Sequence, residues 1–203
     1  MSFDIEETRA RLIAGCDAVV AAKDRLTEAD REIGDGDHGL GMARGFTAAA
    51  EALKTKDAET VGDLFKATGM AIMGKAGGAS GAVFGSFFIG AARPLTGDAF
   101  TAADLAAALE AGLVSVTSRG GAAPGDKTMI DALVPALERA RTAGDDMLAA
   151  ARAAAEGAAD GVEATRDMVA RTGKARSLGD RSLGYIDPGA LSFSIFVTAF
   201  AAP

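Results

Sequence analysis

The stretch Leu26-Thr27-Glu28-Ala29-Asp30-Arg31-Glu32-Ile33-Gly34-Asp35-Gly36-Asp37-His38-Gly39 decides the fold. Its Gly34-x-Gly36-x-x-Gly39 satisfies the dinucleotide fingerprint letter by letter, and would open a doubly wound α/β domain. That fingerprint must follow a buried strand, and residues 26–32 are far too charged to be one, so no such unit starts here. What remains is a loop holding three aspartates, three glycines and the chain's only histidine. Asp35 and Asp37 sit two apart between glycines, with Asp30 five residues upstream, so a loop can converge three hard carboxylate oxygens on one point. Unscreened carboxylates repel, and clustering them makes sense when a divalent cation neutralises them. Oxygen-only ligands select Mg²⁺, Mn²⁺ or Ca²⁺ over zinc, and Mg²⁺ usually completes its shell with substrate phosphates. The segment therefore reads as a Mg-nucleotide site, against the competing reading of a solvated acidic turn that caps a helix.

A second resemblance to a phosphate loop also fails. Gly69-x-x-x-x-Gly74-Lys75 matches a Walker A motif up to its last position, where Ala76 replaces the hydroxyl that should hold Mg²⁺, and its interior reads as helix.

A chain of 203 residues without a linker-like stretch reads as a single domain over 1–203. The net charge of -7 and a pI near 4.8 disfavour nucleic acid or an anionic membrane as partner, because both are bound by clustered Lys and Arg. The lone Cys16 excludes an intramolecular disulfide, and beside Leu12, Val19 and Val20 it reads as a buried small hydrophobe. The first residues carry no basic region followed by an apolar core, and the longest apolar stretch, Gly81 to Ala92, is too short to span a bilayer, so the cytoplasm is expected.

Alanine dominates, whereas Trp is absent and runs of β-branched residues are scarce, which favours helices throughout. Apolar spacing and punctuation predict eight, at about 4–24, 39–54, 60–75, 80–95, 102–118, 128–142, 145–171 and 188–200. Thr60 and Thr101 can cap their helices, and Asp187-Pro188 places an acceptor before a first-turn proline. Leu191 to Phe200 could be a strand on propensity, but it has no partner strand, so helix is expected there too.

Four joints are glycine-rich: 34–41, Gly74 to Gly81, Gly120 to Lys127, and Gly173 to Gly189. In an up-and-down bundle alternate connections lie at one end, so these four should face each other. There, Gly77-Gly78-Ala79-Ser80-Gly81 opens a helix whose free N–H groups and Ser80 hydroxyl form an anion cradle. Gly120-Gly121 could let the backbone pass close to a ligand, Asp126, Lys127 and Thr128 begin the next helix, and Met129 offers a soft surface for a purine. Each alone has a simpler reading: Ser80 as an N-cap, Met129 as core, Asp126 and Lys127 as solvated charge.

Ile33–Gly39, Gly77–Gly81, Gly125–Met129, Leu178–Ser182 and Asp187–Ala190, in this order and at these separations, resemble the nucleotide-binding L subunit of dihydroxyacetone kinase over essentially the whole chain. The resemblance implies an all-α fold, an eight-helix antiparallel up-and-down barrel with ADP or ATP and two Mg²⁺ at one end. It implies Asp30, Asp35 and Asp37 as metal ligands. It also implies His38, Gly39, Leu40 and Gly41 along the nucleotide, Ala79 and Ser80 at the phosphates, and Gly120 and Met129 around ribose and adenine. Asp187, Pro188 and Gly189 would close over the base and sugar. Lys174 falls where an arginine commonly contacts the nucleotide, and Gly41 stands where asparagine is frequent.

The implied activity is phosphoryl transfer to dihydroxyacetone held on a partner K subunit, with ADP as a coenzyme recharged by a phosphocarrier M subunit that draws on phosphoenolpyruvate, or with exchanging ATP. A homodimer is left open. His38 is assigned to orienting phosphate or metal-bound water, and is counted with the three aspartates as the catalytic set. Competing readings are a kinase subunit for another short ketose such as erythrulose and the nucleotide domain of a fatty-acid kinase, whose loop has Thr where this chain has His38. A helical binding module without turnover is the reading from a different class.

Overall fold

The computed structural model describes residues 1–202. Among them are nine α-helices: α1 Ile5–Ala21, α2 Lys23–Ile33, α3 His38–Thr55, α4 Val61–Lys75, α5 Gly78–Ala91, α6 Ala102–Gly120, α7 Ile130–Thr142, α8 Met147–Ala164 and α9 Pro188–Ala201. There is no strand among the described residues, only an isolated antiparallel bridge between Phe3 and Phe100. Among the described residues no helix is long and apolar enough to cross a membrane.

Each expected helix has a counterpart, and three boundaries differ for local reasons. The chain turns at Ala22 and continues as α2 through the charged segment. Leu26, Asp30 and Ile33 form its buried stripe, one apolar turn either side of a carboxylate, and the charge of the rest hid it from a periodicity reading. The helix expected to reach residue 171 stops at Ala164, because the Thr165 hydroxyl turns back to the Val162 carbonyl and the Thr165 carbonyl accepts from the buried Lys127 ammonium instead of a downstream amide. Short 3-10 turns, Thr165–Asp167 and Lys174–Ser182, fill the path to α9. Residues 126–128 do not begin a helix: Lys127 has a left-handed backbone (φ 62°), and α7 starts at Ile130.

Eight helices pack as a closed ring, each against the next from α3 through α9, with α1 joining α9 to α3; α2 lies outside, against α3 and α9. All ten phenylalanines are buried and form one connected set of ring contacts running through Phe46, Phe65, Phe84, Phe88, Phe196 and Phe200. Ring–ring centroid distances of 5.0 to 6.5 Å with mostly tilted or edge-on planes are the favoured geometry for such pairs. The helix α9, which contains the segment that could have been a strand, is buried at ten of its residues, and Asp187 accepts from the Ala190 N–H at 2.7 Å with Pro188 in the first turn, so capping and burial together make it helical.

Candidate functional site

The glycine-rich joints do meet at one end of the ring, around a cavity of about 440 Å³, within the range usual for small-molecule sites. Its walls include Asp30, Asp37, His38, Gly41, Ala79, Ser80, Gly120, Met129, Lys174, Asp187, Pro188 and Gly189. Asp35, Gly39 and Leu40, the last half exposed on α3, are not among them. Gly39 instead presses against the main chain of α2 at Lys23 and Thr27, where a Cβ has no room; this close approach brings α2, and with it Asp30, to the mouth of the cavity.

Oxygens of Asp30, Asp35 and Asp37 all lie within 4.8 Å of one another. Asp30 is buried and accepts from the His38 N–H at 3.1 Å, so its second oxygen is the one left to the loop. Asp35 and Asp37 are exposed, and the Lys174 ammonium stands against both, 3.0 Å from Asp37. That contact holds the Asp35 carboxyl below its usual range and raises Lys174 above its own. A set of three hard oxygens with a cation already against two of them suits a magnesium-like ion in donor chemistry and charge, and is poor for zinc.

His38, at the start of α3, is buried with both ring nitrogens engaged: Nδ1 lies 3.0 Å from Ser80 Oγ and Nε2 2.8 Å from Ser192 Oγ. Burial pushes its pKa down against the pull of Asp30, which favours the neutral ring. Opposite, α5 opens at Gly77 with a left-handed backbone (φ 73°) that a side chain would strain, and without any side-chain cap. The first N–H groups of α5 are therefore left for an anion, with the positive end of the helix dipole behind them.

The far wall owes its shape to residues the sequence reading weighed differently or missed. Lys127 is not a solvated charge: it is buried and donates to the carbonyls of Thr165 and Tyr185, tying the segment before α9 to the loop before α7. Burial lowers its pKa. Asp131, unnoticed in the sequence, accepts from Gly125 and Thr128 N–H groups and so orders the loop that presents Met129. Its place three residues after Thr128 was the available signal. Arg44, one helical turn after Gly41, also lines the mouth and donates to the Ala76 carbonyl at 3.0 Å. Asp187 carries the most displaced carboxyl, pushed up to about 7 by burial against the opposing Ala190 N–H bond.

The DAK2 domain matches residues 32–202. The ADP-binding subunit DhaL of the PEP-dependent dihydroxyacetone kinase of Escherichia coli (strain K12) is 43% identical over 183 residues, 87% of this chain and 87% of that one. D-erythrulose kinase of Mycolicibacterium smegmatis is 38% identical over 198 residues, which are 92% of this chain but 34% of that protein. Among solved structures, the dihydroxyacetone kinase of C. freundii in complex with AMP-PNP and Mg²⁺ superposes with a TM-score of 0.72 at 26% identity, over 99% of this chain and 34% of the other. With the domain model matching residues 32–202 and a relative 43% identical over 87% of each chain, the chain belongs to the DAK2 domain family.

Proposed function

We propose that the protein is the ADP- or ATP-binding phosphoryl-transfer subunit of a dihydroxyacetone kinase. The observation that carries this reading is the convergence of Asp30, Asp35 and Asp37 at the mouth of a cavity on which the uncapped N-terminus of α5 opens. Asp30, Asp35 and Asp37 would hold two Mg²⁺, which when bound neutralise charge on the transferring phosphoryl group. The N–H groups of Ala79 and Ser80 receive phosphate oxygens, and Lys174 and Arg44 add positive charge at the same mouth. Met129 supplies the apolar surface for the base, with Gly120 and the Asp187-Pro188-Gly189 segment around the sugar. His38 orients this end of the site and is not a free nucleophile, since both of its nitrogens are bonded to serines.

The acceptor sugar belongs to another chain. The relatives of matching length are named as ADP-binding subunits, which leaves the ketose to a partner. A K subunit would present dihydroxyacetone, and an M phosphocarrier would recharge the bound ADP from phosphoenolpyruvate. The matches to erythrulose kinases support a second reading in which the partner presents another short ketose to the same nucleotide site.

The decisive experiment is titration calorimetry of Asp35→Asn and Asp37→Asn with ADP and Mg²⁺, alongside circular dichroism. Both variants should keep wild-type helix content and lose Mg-dependent nucleotide retention; unchanged ADP affinity would remove the assignment. The isolated wild-type chain should show no useful phosphorylation of dihydroxyacetone with ATP and Mg²⁺, and robust turnover by it alone would place the acceptor site in this chain.

A further inference from the structure

We propose that Ser192 is a positioning residue of the nucleotide site: it fixes which nitrogen of His38 carries the proton, and through His38 it sets the direction of the Ser80 hydroxyl. Ser192 lies on α9, completely buried and outside the cavity wall. Its hydroxyl donates to the Pro188 carbonyl one turn back, at 3.0 Å. Back-bonding of this kind is common for a helical serine and would need no further explanation by itself. Here, however, the same oxygen also faces His38 Nε2 at 2.8 Å, and with its single proton committed to a carbonyl it can only accept. Nε2 therefore carries the hydrogen.

The consequence propagates outward. A neutral imidazole protonated at Nε2 has a bare Nδ1, and Nδ1 lies 3.0 Å from Ser80 Oγ, so the Ser80 hydroxyl donates inward to it. Ser80 then turns oxygen lone pairs, not a proton, toward the cavity, and an anion is met by main-chain N–H groups at the start of α5. The reverse proton order would turn the Ser80 proton outward and leave the Pro188 carbonyl without the Ser192 bond. One buried hydroxyl, four residues beyond Pro188, thus selects between a donor and an acceptor at a residue that lines the cavity. The inference rests on the nucleotide reading for its functional meaning, but the proton order itself does not.

The chain has one histidine, so ¹⁵N imidazole NMR of the nucleotide-free protein reports this ring alone. The wild type should show a neutral ring protonated at Nε2. Ser192→Ala should keep its helix content, because alanine is the best helix former, and should give averaged nitrogen shifts from mixed tautomers. Its Mg-ADP affinity should rise about 3- to 10-fold, the effect of one added hydrogen bond once the Ser80 proton is free to turn outward to the phosphate. Ser192→Thr, which keeps the hydroxyl, should restore both readouts. Wild-type protonation at Nδ1 would overturn the proposal, as would unshifted nitrogens in Ser192→Ala, which would show that Ser192 does not set the proton order. An affinity loss without a tautomer change would reduce Ser192 to packing and overturn it too. A wild-type protein with no Mg-ADP affinity would sink the nucleotide reading instead, while leaving the NMR comparison of the two proteins to be judged separately.

Discussion

The two ends of the helix ring terminate their helices in opposite ways. At one end α1, α4, α6 and α8 begin, and each has a side-chain cap: Asp4 accepts from Glu7, Thr60 from Asp63, Thr101 from Asp104 and Asp146 from Ala149, with full capping boxes at Thr60 and Thr101. At the other end α3, α5 and α7 begin, and none has a cap bond from its own N-cap residue. The exception there is α9, capped by Asp187. Orphan N–H groups at a helix start are a liability when buried and an asset when an anion is to be held. The first end is closed by caps and by the Phe3–Phe100 bridge, whose reciprocal N–H···O bonds are 3.0 and 2.7 Å. The second keeps the donors of α5 free and surrounds them with buried polar side chains, among them Asp30, His38, Lys127, Asp131 and Ser192. The capped end contributes stability, and the uncapped end gives some of it up for binding.

If that division holds, substitutions at the capped end should change stability without touching nucleotide affinity. The largest effect is expected for Phe100→Ala, since Phe100 is fully buried against Phe65 and Phe200. Urea unfolding should show a loss of about 3 to 5 kcal/mol, while the folded fraction binds Mg-ADP as the wild type does. A changed dissociation constant would mean that the two ends are coupled through the phenylalanine core.

A smaller effect should appear at the uncapped end through pH. The Asp187 carboxyl is raised from 3.8 to about 7, so the folded state holds a proton that the unfolded chain has released over that interval. Its contribution to stability is fully present below pH 3.8 and is lost as pH rises through 7, with a slope of at most one proton, about 1.4 kcal/mol per pH unit. Asp187→Asn should remove this component, so the difference in unfolding free energy between variant and wild type should itself vary between 3.8 and about 7 on the pH scale. A constant difference would show that Asp187 does not titrate there.

Thr101→Ala should have the smallest effect, about 1 kcal/mol for the loss of one cap, again with unchanged Mg-ADP affinity. Thermal melts of this variant beside Phe100→Ala would rank the cap against the core at the same end of the molecule.

Much of this was legible in the chain because its signals are local. The capping residues Thr60, Thr101 and Asp187, the helical period of the apolar residues, and the spacing of Asp35 and Asp37 each act within a few residues of themselves, and all reappear in the structure. The stripe of α2 was hidden because a buried carboxylate, Asp30, occupies its middle, and periodicity counts only apolar residues. Lys127 looked like a surface charge because its two carbonyl partners are 38 and 58 residues away.

Composition and local pattern by themselves determined that the chain is helical, where most helices start, that glycines cluster in alternate joints, and that three aspartates share a loop. Only the tertiary structure decided that α1 joins α9 to close the ring, that Lys174 stands on two of the aspartates from 137 and 139 residues away, and that Ser192 reaches His38 across 154. The physical reason is one of range. Caps and helical periods are settled by neighbours along the backbone, whereas a buried charge or hydroxyl takes whatever partner the packing of distant helices brings within hydrogen-bond reach.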